Sequence, residues 1–150
     1  MKLSLYKAIA AKVETVVDET STIKTFRFKP SKPIVFKAGQ FVELSIPGLG
    51  EAPFTPSSSP AVTEYMEITI MRAGTLTERI HKLKPGDEVG IRGPLGQPYP
   101  LDKYKGCEVL IVGGGVGLAP LRSLLFALFE DIDGYKKIIV RHVHLQQYAT

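Results

Sequence analysis

The pattern of apolar residues changes once along this chain, near residue 108, and that change limits the folds open to it. Before it, short runs alternate between apolar and polar side chains; the clearest, Met66–Met71, reads Met-Glu-Ile-Thr-Ile-Met. A period of two is typical of strands with one buried face. Residues 109–112 instead form a continuous apolar run, typical of a strand buried on both faces. We therefore predict a β unit over residues 1–102 and the start of an α/β unit over residues 103–150.

The β unit consists of short strands separated by turns. Alternating or β-branched runs predict strands at residues 11–17, 22–28, 40–46, 66–71 and 88–92. Turn pairs such as Pro47-Gly48 and Gly93-Pro94 lie between them. Short strands at this spacing indicate a sandwich or a closed barrel. One short helix is expected over residues 77–83, because it begins at a threonine able to cap it.

The α/β unit begins with a strand, a glycine turn and a helix, in that order. The run at 109–112 leads into Gly113-Gly-Gly-Val-Gly117, a helix is predicted over residues 118–129, and residues 137–140 open a second strand. This order is the start of a doubly wound parallel sheet. Two parallel strands cannot cover their own apolar face, so we expect a homodimer or a partner protein to cover it.

Composition excludes several classes of function. The single cysteine, Cys107, excludes a disulfide framework within the chain and an iron–sulfur site held only by its cysteines. His142 and His144 stand near the end of the chain, but we predict no metal site there. The net charge of +4 is spread along the chain without a basic run, which argues against nucleic-acid binding.

Targeting signals are not found in the sequence. No stretch of about 18 apolar residues occurs, so we expect no membrane helix. Residues 1–11 hold lysines but no long apolar core, unlike a secretory signal, and this favours a cytoplasmic location. The chain contains no Asn and four Gln, together with many Lys and Glu, which is a composition typical of thermophiles.

The first candidate site follows residues 36–41 and the strand after them. Ala52-Pro-Phe-Thr-Pro-Ser-Ser-Ser-Pro60 presents the ring of Phe54, the hydroxyl of Thr55 and backbone around Pro53. An isoalloxazine ring needs an apolar surface to lie against and hydrogen bonds for its N5 and carbonyl edge. The alternative is an ordinary surface loop rich in proline and serine.

The second candidate site is Arg72-Ala-Gly-Thr-Leu-Thr77, directly after the strand at 66–71. Gly74 allows the backbone to approach a ligand closely. Thr75, Thr77 and the free N–H groups of a starting helix would bind a pyrophosphate, and Arg72 would add positive charge. The alternative is a strand–turn–helix junction with a threonine cap.

The third candidate site is the glycine turn Gly113-Gly-Gly-Val-Gly-Leu-Ala-Pro120. Gly114, Gly115 and Gly117 would form a cradle for a phosphate group. A glycine turn alone carries little information. Its place between a buried strand and an apolar helix supports a nucleotide site.

In this order and spacing, the three motifs resemble those of the ferredoxin–NADP reductase superfamily. Residues 50–60, 90–100 and 113–122 are most similar to the gamma (electron-transfer) subunits of NAD(P)-linked hydrogenases and sulfhydrogenases, and the electron-transfer subunit of dihydroorotate dehydrogenase is a close relative of these. The resemblance covers about residues 8–140. It implies a mainly β fold, an antiparallel Greek-key barrel that binds flavin, followed by a truncated β-α-β start of a nucleotide-binding domain.

The resemblance also implies cofactors, partners and roles. FAD would lie on the barrel and NAD(P)H on the following domain, and single electrons would pass to iron–sulfur clusters in larger subunits. The family's first motif, Arg, any residue, Tyr, then Ser or Thr, matches Ala52, Pro53, Phe54 and Thr55. Thr55 would face flavin N5, which makes it the expected catalytic residue. Ala52 lacks the arginine that holds the pyrophosphate, so Arg72 would have to supply that charge, and FMN is an alternative to FAD.

Other interpretations follow from where the chain departs from the family. The tail at residues 141–150 does not match the family's Tyr-Gly turn, and a one-base shift under one choice of codons restores Tyr-Gly-Thr-Tyr. We therefore hypothesise that this tail is read out of frame. A truncated, non-catalytic fragment acting as a binding or assembly module is a second interpretation. A third is an unrelated β-barrel ligand or oligonucleotide binder, against which the glycine turn argues.

Overall fold

The computed structural model describes residues 7–143, and the first part of this range forms one antiparallel sheet with a short helix. Its elements are β1 (Ile9–Asp18), β2 (Ile23–Pro30), β3 (Phe41–Ile46), β4 (Gly50–Phe54), β5 (Met66–Met71), α1 (Thr75–Ile80) and β6 (Glu88–Leu95). Four of the five strands expected from the sequence differ by a few residues at their ends. β5 has the bounds predicted from its alternation.

The sheet curls so that the segment after one edge strand reaches the other edge strand. The strands pair in the order β4-β3-β6-β1-β2-β5, and every pair is antiparallel. Residues just after β4 then reach β5: the backbone N–H of Ser57 donates to the carbonyl oxygen of Glu67 at 2.7 Å. The N–H of Glu67 in turn donates to Ser58 Oγ at 3.1 Å. These two bonds hold the segment after β4 against β5 and curl the sheet into a partly open barrel.

The barrel is filled by the inward-facing residues of its alternating strands. Phe26, Phe28, Ile68 and Ile70 are almost completely buried, whereas the residues between them, Arg27 on β2 and Thr69 on β5, are polar. The Phe26 and Phe28 rings are stacked with centroids 5.9 Å apart. Each buried side chain of this size contributes about 1.5–3 kcal/mol of transfer free energy. The period of two therefore determines which side chains of each strand point into the barrel and which point away from it.

The second part of the chain forms the predicted β-α-β unit. β7 (Glu108–Gly114) pairs in parallel with β8 (Lys137–Val143), and α2 (Leu118–Phe129) joins them. Single 3-10 turns lie at Leu101–Tyr104, Gly115–Gly117 and Ile132–Gly134. No helix in the range 7–143 is long and apolar enough to cross a membrane.

The apolar run in β7 is buried on one face only, which corrects the expectation of two buried faces. Ile111 is 4% exposed beneath α2, but Leu110 is 61% and Val112 is 56% exposed. Phe129 and Val140 are exposed as well. The run is continuous because the outer face of this strand is apolar too. The uncovered apolar surface expected for this unit is therefore present.

Three further local expectations need correction. β4 is missing from the strands expected from the sequence, because Gly50 and Pro53 are poor strand formers; proline is tolerated here because β4 is an edge strand. Helix α1 covers Thr75–Ile80 rather than residues 77–83. Residues 141–143 complete β8. The rest of the tail, including His144, lies outside the described residues, so the reading-frame hypothesis stays untested.

Candidate functional site

The residues of the first motif lie at the end of β4, on an open edge of the sheet. β4 pairs with β3 on one side only, so backbone groups along its other side have no strand partner. Phe54 is half-buried and packs against the barrel core, while Pro53 is exposed. Thr55 is half-buried, and its hydroxyl has no protein partner among residues 7–143. An aromatic ring, a free hydroxyl and open backbone groups are thus brought together.

Position 52 faces the barrel core. Ala52 lies opposite Leu44, which lies opposite Ile91 on the next strand, and both neighbours are fully buried. Directly opposed residues of antiparallel strands point to the same face. A longer cationic side chain here would have to run along the sheet to the rim before its charge met solvent or a ligand. The methyl group of Ala52 offers no charge to a pyrophosphate.

The turn before α1 is held by the hydroxyl of Thr77. Thr77 Oγ1 accepts the N–H groups of Ala73 and Gly74 at 2.8 and 3.0 Å and donates to the carbonyl oxygen of Gly74 at 2.9 Å. This hydroxyl is therefore occupied in shaping the turn. The exposed Thr75 hydroxyl and the first-turn N–H groups remain for a ligand. α1 contacts β4, so this turn and the first motif lie on the same part of the barrel.

Arg72 opens into a different cleft. Its backbone N–H donates to the Thr22 carbonyl oxygen at 2.8 Å, which ties it to the β1–β2 hairpin. A cavity of about 720 Å³ beside it is lined by Asp18, Thr20 and Glu78, and no β4 residue lines that cavity. The structure thus places Thr75 and Thr77 near β4 but does not bring Arg72 into one cavity with Phe54 and Thr55.

Two glycines of the third motif are required by the fold. A Cβ on Gly114 would stand 2.7 Å from the carbonyl oxygen of Val143 in β8, and Gly115 has a φ of +55°. Gly117 has a helical φ of −64°, and a Cβ there would have nothing within 4 Å. Gly114 and Gly115 therefore shape the turn, whereas Gly117 leaves open space at the start of α2.

The glycine turn faces the barrel across a cavity of about 580 Å³. Thr25 and Thr69 line it from the barrel, and Gly115 and Arg122 line it from the α/β unit. The hydroxyls of Thr25 and Thr69 are 2.9 Å apart, and Thr25 donates to a Glu19 carboxylate oxygen at 2.7 Å. Polar groups from two strands of the barrel thus line the same cavity as the glycine turn.

The same two units are joined by a triad of charges. The Glu67 carboxylate, on a side chain that is 13% exposed, accepts hydrogen bonds from Arg27 on β2 and from Arg122 on α2. The bond from Arg27 to Glu67 raises the pKa of the Arg27 guanidinium. Sequence reasoning missed Glu19, Thr25, Arg27, Glu67, Thr69 and Arg122. A signal existed, because β2 and β5 both carry polar residues at alternate positions. No group of three metal-ligating side chains occurs within the described part of the chain.

Comparison with known protein families assigns the chain. The family described as oxidoreductase FAD-binding domain matches residues 10–99, which include all of the barrel strands except the first residue of β1. This chain belongs to that FAD-binding domain family. The matched range ends before the β-α-β unit, so the match concerns the sheet, α1 and the first two motifs.

Curated relatives of this FAD-binding domain extend the likeness into the α/β unit. Sulfhydrogenase 1 subunit gamma of Pyrococcus furiosus is 43% identical over 138 residues, covering 89% of this chain and 47% of that protein. A probable dihydroorotate dehydrogenase B (NAD(+)) electron transfer subunit of Methanocella arvoryzae is 42% identical over 118 residues, covering 79% of this chain and 42% of that protein. The chain spans about half the length of the curated relatives it matches.

Solved structures show the same fold. Cytochrome P450 reductase GcoB of Amycolatopsis superposes with a TM-score of 0.80 at 26% identity, covering 94% of this chain and 44% of that one. Phthalate dioxygenase reductase gives 0.78 at 19% identity, covering 93% and 44%. Both matches cover the FAD-binding barrel and the β-α-β unit together. The ferredoxin-reductase-like fold expected from the sequence is confirmed.

The barrel fits a flavin better than it fits a pyrophosphate. The open edge of β4, the unpaired Thr55 hydroxyl and the space beside Gly74 leave room and donors for a ring system. Ala52 supplies no cation where the resembled families have arginine, and Arg72 lies in another cleft. The turn at residues 73–77 instead offers the exposed Thr75 hydroxyl and free first-turn N–H groups.

Proposed function

We propose that this chain binds FAD on its barrel and passes electrons between NAD(P)H and an iron–sulfur partner, as the electron-transfer subunit of a hydrogenase-like complex. A bound flavin supplies the redox chemistry, because it accepts two electrons as a hydride and releases them singly. The side chains of this protein bind and orient the two nucleotides and keep water from the space between them.

One observation carries this proposal: the segment that follows the flavin motif is hydrogen-bonded to a residue that lines the cavity beside the glycine turn. The segment after β4 bonds to β5 through Ser57, whose hydroxyl lies 3.2 Å from that of Thr69. Thr69 lines the cavity that contains Gly115. A flavin at the end of β4 and a nucleotide at the glycine turn would therefore lie on adjacent surfaces, as hydride transfer requires.

The proposed roles follow the positions of the residues. Pro53 and Phe54 would flank the isoalloxazine ring, and the Thr55 hydroxyl would donate a hydrogen bond to flavin N5, which makes Thr55 the proposed catalytic residue. Thr75 and the first-turn N–H groups would bind the phosphates of FAD, in a turn that Gly74 and the Thr77 hydroxyl shape, with Arg72 adding long-range positive charge. Gly114, Gly115 and Gly117 would hold the phosphates of NAD(P)H. These three glycines belong to the second domain. We propose that the boundary between the two domains lies between residues 102 and 103, within the turn Leu101–Tyr104.

The proposed partners are larger iron–sulfur subunits of a cytoplasmic complex. A gamma subunit of a sulfhydrogenase and an electron transfer subunit of a dihydroorotate dehydrogenase are both similar to this chain. The exposed apolar side chains Leu110 and Val112 offer a surface for such a partner or for a second copy. The dihydroorotate dehydrogenase system is the alternative setting for the same electron transfer.

Ala52 favours a second candidate, a module that binds partners without flavin. The position that supplies an arginine in the resembled families holds a methyl group facing the core. Without that charge, affinity for FAD depends on the turn at residues 73–77. A protein that fails to hold any flavin would fit this second function.

The experiment is a flavin titration followed by reduction. Purified protein is titrated with FAD and with FMN by flavin fluorescence, and the complex is then mixed with NADH or NADPH without oxygen. We expect saturable FAD binding and loss of flavin absorbance on adding one of the two nucleotides. Binding without reduction would leave the barrel as a flavin site and refute the nicotinamide half of the proposal.

A matched pair of substitutions separates the site from the fold. Thr55→Val removes the hydroxyl proposed for flavin N5, and Thr15→Val makes the same change on the exposed side of β1. We expect Thr55→Val to slow flavin reduction and Thr15→Val to leave it unchanged. Equal rates in the two variants would remove Thr55 from the proposed site.

A further inference from the structure

Arg122 takes part in two features of the interface between the units. Its guanidinium donates to Glu67 Oε2 at 3.1 Å, and the residue also lines the cavity beside the glycine turn. Its side chain is 50% exposed, although its partner Glu67 is only 13% exposed. A half-exposed cation that lines a mostly apolar cavity is available to an anionic group of a ligand in that cavity.

The bonds to Glu67 are unequal. Arg27 reaches Glu67 Oε1 through two nitrogen atoms, at 3.2 and 2.8 Å, and its guanidinium also lies 4.0 Å from the centre of the Tyr65 ring. Arg122 makes a single bond to the other oxygen. Removing the only partner of a buried carboxylate is costly, but Glu67 keeps Arg27 when Arg122 leaves. Arg122 can therefore exchange partners at low cost.

The cavity has two chemically different walls. On the α/β side, Gly115 and Arg122 offer backbone and a cation. On the barrel side, Thr25 and Thr69 offer hydroxyls, and the Glu19 carboxylate is an acceptor that repels anions. A phosphorylated ribose fits this arrangement, with its phosphate towards Arg122 and its hydroxyls towards Glu19.

We propose that Arg122 binds the phosphate of an incoming nucleotide, and that Arg122 is paired with Glu67 until the nucleotide binds. The phosphate takes Arg122 from Glu67, and Arg27 continues to neutralise the carboxylate. This rests on the proposed function, because the nucleotide is the NAD(P)H of that reaction. Glu67 is then a competitor of the ligand rather than a support for it.

The test compares two substitutions that should change the Kd for NADH in opposite directions. The Kd is measured by NADH fluorescence at low ionic strength. Arg122→Ala should weaken binding, by roughly tenfold for a lost charge-assisted phosphate contact. Glu67→Gln should tighten binding by about two- to fivefold, because a singly bonded ion pair with one half-exposed partner no longer competes for Arg122. Glutamine still offers an oxygen to Arg27. In the Arg122→Ala background, Glu67→Gln should have no further effect.

Lys32→Ala is the control, because Lys32 is exposed and makes no ion pair within residues 7–143. It should leave the Kd for NADH unchanged, and thermal unfolding should show that all variants fold. Weaker binding in Glu67→Gln would overturn the proposal, since it would make the ion pair a structural support. An unchanged Kd in Arg122→Ala would overturn it as well.

Failure of the proposed function is measured separately in the same samples. Retention of FAD reports on the barrel, and the Kd for NADH reports on the cavity. A wild-type protein that retains FAD but binds neither NADH nor NADPH would overturn the inference about Arg122 and leave the flavin site standing. A protein that binds NADH with the expected signs but retains no FAD would support Arg122 and refute the flavin site.

Discussion

Replacing Gly114 by alanine tests whether the β7–β8 ladder shapes the glycine turn. The new Cβ would stand 2.7 Å from the carbonyl oxygen of Val143, which is a backbone atom and cannot rotate away. Gly114 and Val143 form the last register pair among the described residues, so relief requires the ladder to open at this pair. We expect a loss of about 1–3 kcal/mol in the free energy of unfolding, the range for overpacking.

Gly117→Ala is the matched control in the same turn. Its Cβ would meet nothing within 4 Å and its φ is already helical, so stability should change by less than about 0.5 kcal/mol. Thermal unfolding measures both variants, at roughly 2–4 °C for each kcal/mol in a chain of this size. FAD retention should be unchanged in both, because the barrel is untouched.

Equal melting temperatures for the two variants would refute this reasoning, because the packing against Val143 would then impose no constraint. A larger loss for Gly117→Ala would refute it too. A lower affinity for NADH in Gly117→Ala at unchanged stability would agree with the open space above α2 being used by a ligand.

Three further predictions concern the core, the flavin and the exposed face. Ile68→Ala, in the fully buried centre of β5, should lower the free energy of unfolding by about 2–5 kcal/mol in a denaturant titration. An exposed site would lose far less. Ala52→Arg should raise the affinity for FAD more than that for FMN, because only FAD has a pyrophosphate; equal changes in the two titrations would contradict this. Wild-type protein should associate in sedimentation at tens of micromolar, and Leu110→Glu should reduce this association by placing a charge on the apolar face. A monomeric wild type would contradict the prediction.

Elements with strong periodicity could be predicted from the sequence. β5 has the predicted bounds because Met-Glu-Ile-Thr-Ile-Met alternates without interruption. The β-α-β unit could be predicted because an apolar run, a glycine turn and an apolar helix follow one another. β4 could not, because it is a short edge strand held by its pairing with β3, and its own residues include Gly50 and Pro53.

The candidate site was predicted in parts but not in its assembly. Motif residues such as Phe54 and Gly115 could be chosen from local sequence. The Arg27–Glu67–Arg122 triad could not, because it depends on the register of β2 against β5 and on where α2 packs, which no local pattern contains. The occupied hydroxyl of Thr77 is also a property of the folded turn.

The central claim is that the barrel is a flavin site, and its most direct test is the visible absorption spectrum of the protein after incubation with FAD and removal of the excess. We predict retained flavin bands, at close to one FAD per chain, that bleach with dithionite. A colourless protein would contradict the claim. It would show that the turn at residues 73–77 does not replace the arginine missing at Ala52, and it would favour the flavin-free binding module.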